Sequence, residues 1–127
     1  MKNPIGRKGK YNANGRRVNE LWFASDSEAT RYEQLIVLQN DGLIDRLETQ
    51  PQLSISIKNK HICNYRADFK YLIVDDRGYT TKMVYEDVKG MITDVYKLKK
   101  KMVEAFYDMK IVEIPAKDIK KWEGKLP

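Results

Sequence analysis

Residues 62–90 read ICNYRADFKYLIVDDRGYTTKMVYEDVKG, two apolar stretches separated by a short polar one. The composition of the two stretches predicts strands at about 62–74 and 79–89. Asp75-Asp76-Arg77-Gly78 has the residues of a hairpin turn, and Gly90 marks the end of the second strand. We therefore predict an antiparallel hairpin at the centre of the fold.

Local patterns on either side of this hairpin predict the other elements. Ser25 has the position of an N-cap for a first helix that ends near Gly42. Alternating residues predict a half-buried strand over 53–57. A second helix is expected over 93–107, followed by a short buried strand over 111–114. A last short helix is expected at 116–122.

The inward face of the second helix is expected to carry Val95, Leu98, Met102 and either Phe106 or Ala105. The predicted class is α/β (α+β), with the order α-β-β-β-α-β. A mixed central sheet is flanked by helices, and the last helix–strand connection is a right-handed crossover.

The length of 127 residues suits one domain, and the composition is that of a water-soluble globular chain. No apolar run is long enough to span a membrane, and the basic N-terminus lacks the apolar segment of a secretory signal. One cysteine, Cys63, and one histidine, His61, argue against a disulfide and a structural zinc site. We therefore expect a cytoplasmic protein.

The net charge of +6 comes entirely from residues 1–19, which contain six basic residues and no acidic one. The basic residues are Lys2, Arg7, Lys8, Lys10, Arg16 and Arg17. With its glycines and asparagines, this segment is expected to be a flexible basic arm that neutralises phosphates, although a solubilising tail is the alternative. Residues 20–127 are expected to form the single folded domain.

The hairpin also carries a candidate active site. Side chains two apart on a strand share a face, so Asp87 and Lys89 are expected to point the same way. Asp68 lies on the neighbouring strand, within cross-strand reach. Two carboxylates so placed suit Mg²⁺, and a lysine beside them suits a reacting phosphate. By spacing alone, an ordinary cross-strand ion pair is the better explanation of these residues.

Five stretches of the chain resemble the PD-(D/E)XK nuclease superfamily, and small phage proteins within it. They are FASDSEATRY (23–32), Gln50-Pro51, YRADF (65–69), EDVKG (86–90) and VYKLKKK (95–101). This resemblance covers about residues 23–114 and implies a restriction-endonuclease-like core. It gives Asp68, Asp87 and Lys89 catalytic positions, and makes the Val88 carbonyl a further metal ligand. Ala67 departs from the family pattern by replacing the proline.

The resemblance also implies a role for Glu28, because junction-resolving members carry a metal-binding glutamate on the first helix. The alternative is local, since Ser25 and Glu28 have the spacing of a capping box. Glu33 is the fallback acidic residue. A strand bulge would turn Glu86, instead of Asp87, toward the metal.

Lys97 and Lys100 lie one turn apart on the second helix, close after the candidate catalytic strand. They are expected to hold the phosphate backbone, although most such lysines only form a solvated face.

The resemblance implies a Mg²⁺-dependent DNA endonuclease, with Mn²⁺ as a substitute. The chain lacks a sequence-reading module such as a zinc finger, so we expect recognition of DNA structure. The leading expectation is a homodimer that cuts branched DNA, similar to Holliday-junction resolvases, in phage replication or recombination in the host bacterial cytoplasm. The alternatives are a nicking or repair-type endonuclease and a nucleic-acid-binding protein without catalysis.

Overall fold

The computed structural model describes residues 14–122, which form eight strands, two α-helices and one 3-10 helix. In chain order the elements are β1 (Arg16–Val18), β2 (Leu21–Phe23), α1 (Asp26–Asn40), β3 (Ile44–Thr49), β4 (Gln52–Ile57), β5 (Lys60–Arg66), β6 (Phe69–Val74), β7 (Thr80–Lys89), α2 (Asp94–Tyr107), β8 (Ile111–Pro115) and a 3-10 helix (Ala116–Lys121).

The central sheet has four strands in the order β3-β6-β7-β8. β6 pairs antiparallel with β3 and with β7, whereas β8 runs parallel to β7 after the α2 connection. β1–β2 and β4–β5 form two separate antiparallel hairpins. The fold is therefore a mixture of helices and strands around a mixed central sheet, as the sequence predicts.

α1 covers one face of this sheet. Ser25 caps the helix by accepting a hydrogen bond from the Glu28 backbone N–H at 3.1 Å. Leu35 of the helix packs in one buried cluster with Phe69 and Tyr71 of β6, and Val84 of β7 also belongs to this cluster. Burial of these apolar surfaces fixes α1 against the sheet.

α2 lies over the opposite face, but its buried side differs from the prediction. Val103 is completely buried against Ile55, Tyr65 and Ile111, whereas Val95 and Leu98 are 64% and 58% exposed. Phe106 is also exposed, and Met102 is only half-buried. The predicted inward stripe is therefore wrong except for Met102, which packs against the Val103 cluster. Lys99 and Lys100 turn toward the protein because they find polar partners there.

The strand assignments also need corrections. The predicted strand at 53–57 belongs to the β4–β5 hairpin and not to the central sheet, where β3 takes the outer position. The predicted strand at 62–74 is interrupted between β5 and β6, at Ala67 and Asp68.

Part of the predicted basic arm lies within the described residues. Arg16–Val18 pair with Leu21–Phe23 as the β1–β2 hairpin, so this end of the segment has regular structure. Residues 1–13 of the predicted arm lie outside the described residues. None of the helices in the part of the chain described is long and apolar enough to cross a membrane.

Candidate active site

Asp68 lies at the interruption between β5 and β6, where its backbone is held from two sides. Its carbonyl accepts a hydrogen bond from the Gln50 N–H at 2.8 Å, and its own N–H donates to the Glu86 carbonyl at 3.0 Å. Gln50 has a φ of 54°, in the left-handed region that non-glycine residues rarely adopt. The turn before β4 thus fixes the place from which the Asp68 side chain projects.

The Asp68 carboxylate meets both α1 and β7. Its Oδ2 accepts a hydrogen bond from the Val88 backbone N–H at 2.7 Å. Burial and the negative charge of Glu28 raise the pKa of Asp68 to about 6, although the Val88 bond and Lys89 lower it in part. The structure therefore brings Glu28, Asp68 and Lys89 together.

Asp87 lies on β7 and is 1% exposed. Burial raises its pKa to about 6, and the nearby positive charge of Lys89 opposes that shift. Among the described residues, its Oδ2 has no hydrogen-bond partner. A buried carboxylate oxygen without a partner is costly, so this atom is suited to receive a cation.

Glu86, the neighbour of Asp87, points to the other side of the sheet. Its carboxylate accepts two hydrogen bonds from Arg31 of α1, at 2.8 and 2.7 Å, and another from the Tyr71 hydroxyl. These three hydrogen bonds hold the Glu86 carboxylate on the α1 side of the sheet. Asp87 is therefore the acidic residue of this strand on the side of Lys89.

Lys89 packs its ammonium group on the ring of Tyr96, 4.0 Å from the centroid. The Tyr96 hydroxyl donates to Glu113 of β8 at 2.8 Å, and Lys100 pairs with the same carboxylate at 3.4 Å. Burial and the bond to Glu113 raise the pKa of Tyr96, so it remains a neutral donor at neutral pH. These contacts hold Lys89 beside the two aspartates.

Glu28 contacts Ser25 at the start of α1 and also faces Asp68. Ser25 Oγ accepts from its backbone N–H and donates to its Oε2, each at 3.1 Å. Its charge also faces Asp68 closely enough to raise the pKa of that residue. The contacts with Ser25 and the proximity to Asp68 therefore coexist in this structure, and metal binding by Glu28 remains a prediction.

The carboxylate oxygens of Asp68 and Asp87 suit a hard divalent cation that takes only a few of its ligands from the protein. Within residues 14–122, no group of three or more His, Cys, Asp or Glu side chains is arranged to hold a metal ion. Mg²⁺ commonly takes one or two carboxylates and fills its other positions with water and substrate phosphate. Asp68 and Asp87 fit that pattern, because Asp87 Oδ2 is buried without a partner. The structure places Val88 beside Asp68 through its N–H; metal binding by its carbonyl remains a prediction.

The predicted DNA-binding residues have different surroundings. Lys97 is exposed on α2, whereas Lys100 pairs with Glu113 and Glu104. Arg16 pairs with Asp26 and Glu33 of α1. Arg17 is exposed and donates to a backbone carbonyl. Arg7, Lys8 and Lys10 lie outside the described residues.

Sequence reasoning missed Glu113 and Arg31. Glu113 is opposite Asp87 in the parallel β7–β8 register, and its charge contributes to the raised pKa of Asp87. Its position inside a short apolar strand was the available signal. Arg31 lies 55 residues from Glu86, and no local pattern links the two.

Comparison with known proteins yields one result. No curated protein and no solved structure matches the chain significantly. A family model described as "Protein of unknown function (DUF1064)" matches residues 8–121, a range that includes α1, α2 and the strands β1 to β8. Since this match spans most of the chain, the protein belongs to the DUF1064 family.

Proposed function

We propose that this protein is a Mg²⁺-dependent DNA endonuclease that hydrolyses phosphodiester bonds, with Mn²⁺ as a substitute. The observation that carries the proposal is the buried Oδ2 of Asp87, which has no hydrogen-bond partner among residues 14–122 and lies beside Asp68 and Lys89. A carboxylate pair in that state costs stability unless a cation or a proton neutralises it. Buried carboxylates with perturbed pKa values are typical of functional sites.

The chain order of the central-sheet elements supports the proposed nuclease-like core. α1 is followed by β3, β6 and β7, then by α2 and β8, with the β4–β5 hairpin inserted after β3. This order agrees with a helix, three antiparallel strands, a helix and a parallel strand. The site lies where β7 ends and the chain turns toward α2.

Each residue has a defined task in hydrolysis. Asp68 and Asp87 are the proposed ligands of the cation, which would polarise the phosphate and lower the pKa of a nearby water. Lys89 places positive charge where charge develops on the reacting phosphate. Glu28 faces Asp68 and is the proposed acceptor of the proton from the attacking water.

Branched DNA is the proposed substrate, as for a Holliday-junction resolvase serving phage replication or recombination. Cutting two strands symmetrically requires two sites, and we propose a homodimer for this reason. A nicking or repair-type endonuclease, which needs only one active site, is the alternative. A nucleic-acid-binding protein without catalysis is the other alternative, but a phosphate-binding face gains nothing from buried carboxylates.

The test is incubation of the protein with duplex, flap and four-way-junction DNA in Mg²⁺, Mn²⁺ or EDTA. We expect cutting with either metal and none in EDTA. Asp87→Asn is expected to abolish cutting while junction binding stays nearly unchanged, and Lys89→Ala is also expected to abolish cutting. A folded protein that cuts none of these substrates with metal would refute the proposal.

A further inference from the structure

A polar cleft of about 440 Å³ lies next to the candidate active site. Its walls are the β4–β5 hairpin on one side and the first turns of α2 on the other, and Lys89 lies where the cleft meets the site. The volume lies within the range of about 300–1,000 Å³ that is usual for small-molecule sites. The cleft is thus of a size to take one small unit of a substrate.

The charge of the cleft is uniform. Its lining includes the cations Arg66, Lys89 and Lys99, and none of the described residues that line it is acidic. Lys99 also donates to the Asn64 carbonyl at 3.3 Å, which ties α2 to the hairpin. Lys89 also faces the two aspartates, but Arg66 and Lys99 form no ion pair with any described residue, and such a surface attracts an anion such as a phosphate.

The remaining lining is suited to a base and a sugar. Gln52 is an exposed amide with both donors and acceptors, and Asn64 is an exposed amide whose Oδ1 contacts His61 Nε2 at 3.0 Å and whose NH₂ remains as a donor. Tyr96 supplies a partly exposed aromatic ring, and the buried ring of Tyr65 lies behind it with a centroid distance of 6.4 Å. Positive charge combined with aromatic rings is the usual composition of single-strand binding sites.

A second observation points independently to a ligand. Tyr65 is 3% exposed, and in the described part of the chain its hydroxyl has no hydrogen-bond partner. A buried hydroxyl left unpaired costs free energy, and a ligand atom in the adjoining cleft would satisfy it.

We propose that this cleft binds one unpaired nucleotide of a DNA strand, next to the phosphate that lies at Lys89. The amides and the Tyr96 ring need free base edges and faces, which a paired and stacked base does not offer. This inference rests on the proposed nuclease function and narrows its substrate to DNA with an unpaired strand beside the cut, such as a flap or an opened branch point.

Binding is measured in EDTA with Asp87→Asn protein, so that no cutting is needed. The probes are a fluorescent 12-nucleotide oligo-dT and a blunt duplex of equal length. Arg66→Ala with Lys99→Ala is compared with Lys117→Ala and Lys120→Ala, two exposed lysines at the 3-10 helix that lie outside the cleft.

We expect the cleft variant to bind the single strand about tenfold more weakly or worse, and its salt-dependence slope to fall by about 1.4 for two lost phosphate contacts. Duplex affinity and the lysine control should change by less than about threefold. Arg66→Ala alone should show half of the change in slope. This variant keeps the hydrogen bond between Lys99 and the Asn64 carbonyl, so its effect cannot come from loss of that bond. Equal losses for single strand and duplex, or no loss, would overturn the inference.

Tyr65→Phe isolates the hydroxyl. We expect weaker single-strand binding with an unchanged or higher melting temperature, because the unpaired buried group is removed. Unchanged affinity would show that the hydroxyl meets no ligand. Failure of the nuclease proposal is distinguishable, since it appears as absent metal-dependent cutting even when the cleft variants lose single-strand binding.

Discussion

Arg31 of α1 and Glu86 of β7 form a two-bond ion pair in the protein interior, with exposed side-chain fractions of 3% and 0%. Bonds to Glu86 raise the pKa of Arg31 in spite of burial, which acts to lower it. The pair joins the helix that carries Glu28 to the strand that carries Asp87.

Removing one partner of this pair should destabilise the protein strongly. Glu86→Ala leaves the Arg31 charge buried without its counter-charge, and breaking such pairs costs about 3–5 kcal/mol. Urea unfolding measures the change. Asp118→Ala removes an exposed pair with Lys121 and should cost at most about 1 kcal/mol. Similar costs for the two variants would contradict the assigned importance of burial.

Asp87→Asn should stabilise the protein in the absence of metal while removing its response to metal. The substitution keeps the shape but removes a buried charge whose Oδ2 has no partner, and the expected gain at pH 7.5 is about 1–3 kcal/mol. In thermal melts, the wild-type protein should gain stability with Mg²⁺ and the variant should not. An equal Mg²⁺ response of both proteins would exclude Asp87 as a ligand.

The raised pKa values of Asp68 and Asp87 predict a specific pH dependence. Both are about 6 in the folded protein, against an ordinary value of 3.8, so the folded state retains protons that the unfolded state has released. The free energy of unfolding therefore receives a contribution that decreases as pH rises from about 4 to about 6, by up to about 3 kcal/mol for each residue.

Comparison with Asp87→Asn isolates this contribution from the other carboxylates. In EDTA, the stability advantage of the variant should grow between pH 4.5 and pH 7, as measured by urea unfolding. The same advantage at both pH values would show that Asp87 does not titrate in this range.

The elements with strong local signals were predictable. Ser25 marks the start of α1, and Asp75 forms the turn after β6 by accepting hydrogen bonds from the backbone N–H groups of Arg77 and Tyr79. Gly78 completes that turn with a φ of 86°. In each case the determining contacts lie within four residues, so the sequence pattern contains them.

The elements set by distant contacts were not predictable. β3 has a register shift between Asp45 and Glu48, which disrupts the alternation that reveals a strand. The face of α2 depends on Glu113, which draws Lys100 inward and leaves Leu98 exposed. The same holds for the candidate site. The two-residue alternation of β7 predicts that Asp87 lies beside Lys89, but it does not predict that Glu113 of β8 lies opposite Asp87.

The exposed apolar side of α2 makes the proposed homodimer testable. Val95, Leu98 and Phe106 are more than half exposed at three- to eight-residue spacing along one side of the helix. If two copies pair through this side, the protein has twice the mass of one chain in light scattering, and Leu98→Glu yields a folded monomer. Val37→Glu, at an exposed apolar position on α1, is the matched control. A wild-type monomer at micromolar concentration would contradict the homodimer.

Glu28→Gln and Ser25→Ala separate the two roles of Glu28. Ser25→Ala removes the oxygen that accepts the Glu28 N–H, and loss of such a cap costs about 1 kcal/mol of stability. Glu28→Gln keeps an oxygen that can accept from Ser25 but removes the charge that faces Asp68.

We therefore expect Ser25→Ala to lower stability with little effect on metal-dependent cutting, and Glu28→Gln to lower cutting with little effect on stability. The pKa of Asp68, followed by carboxyl NMR, should fall only in Glu28→Gln because that variant removes a nearby negative charge. Loss of stability in both variants, with cutting retained, would assign Glu28 to the helix cap alone.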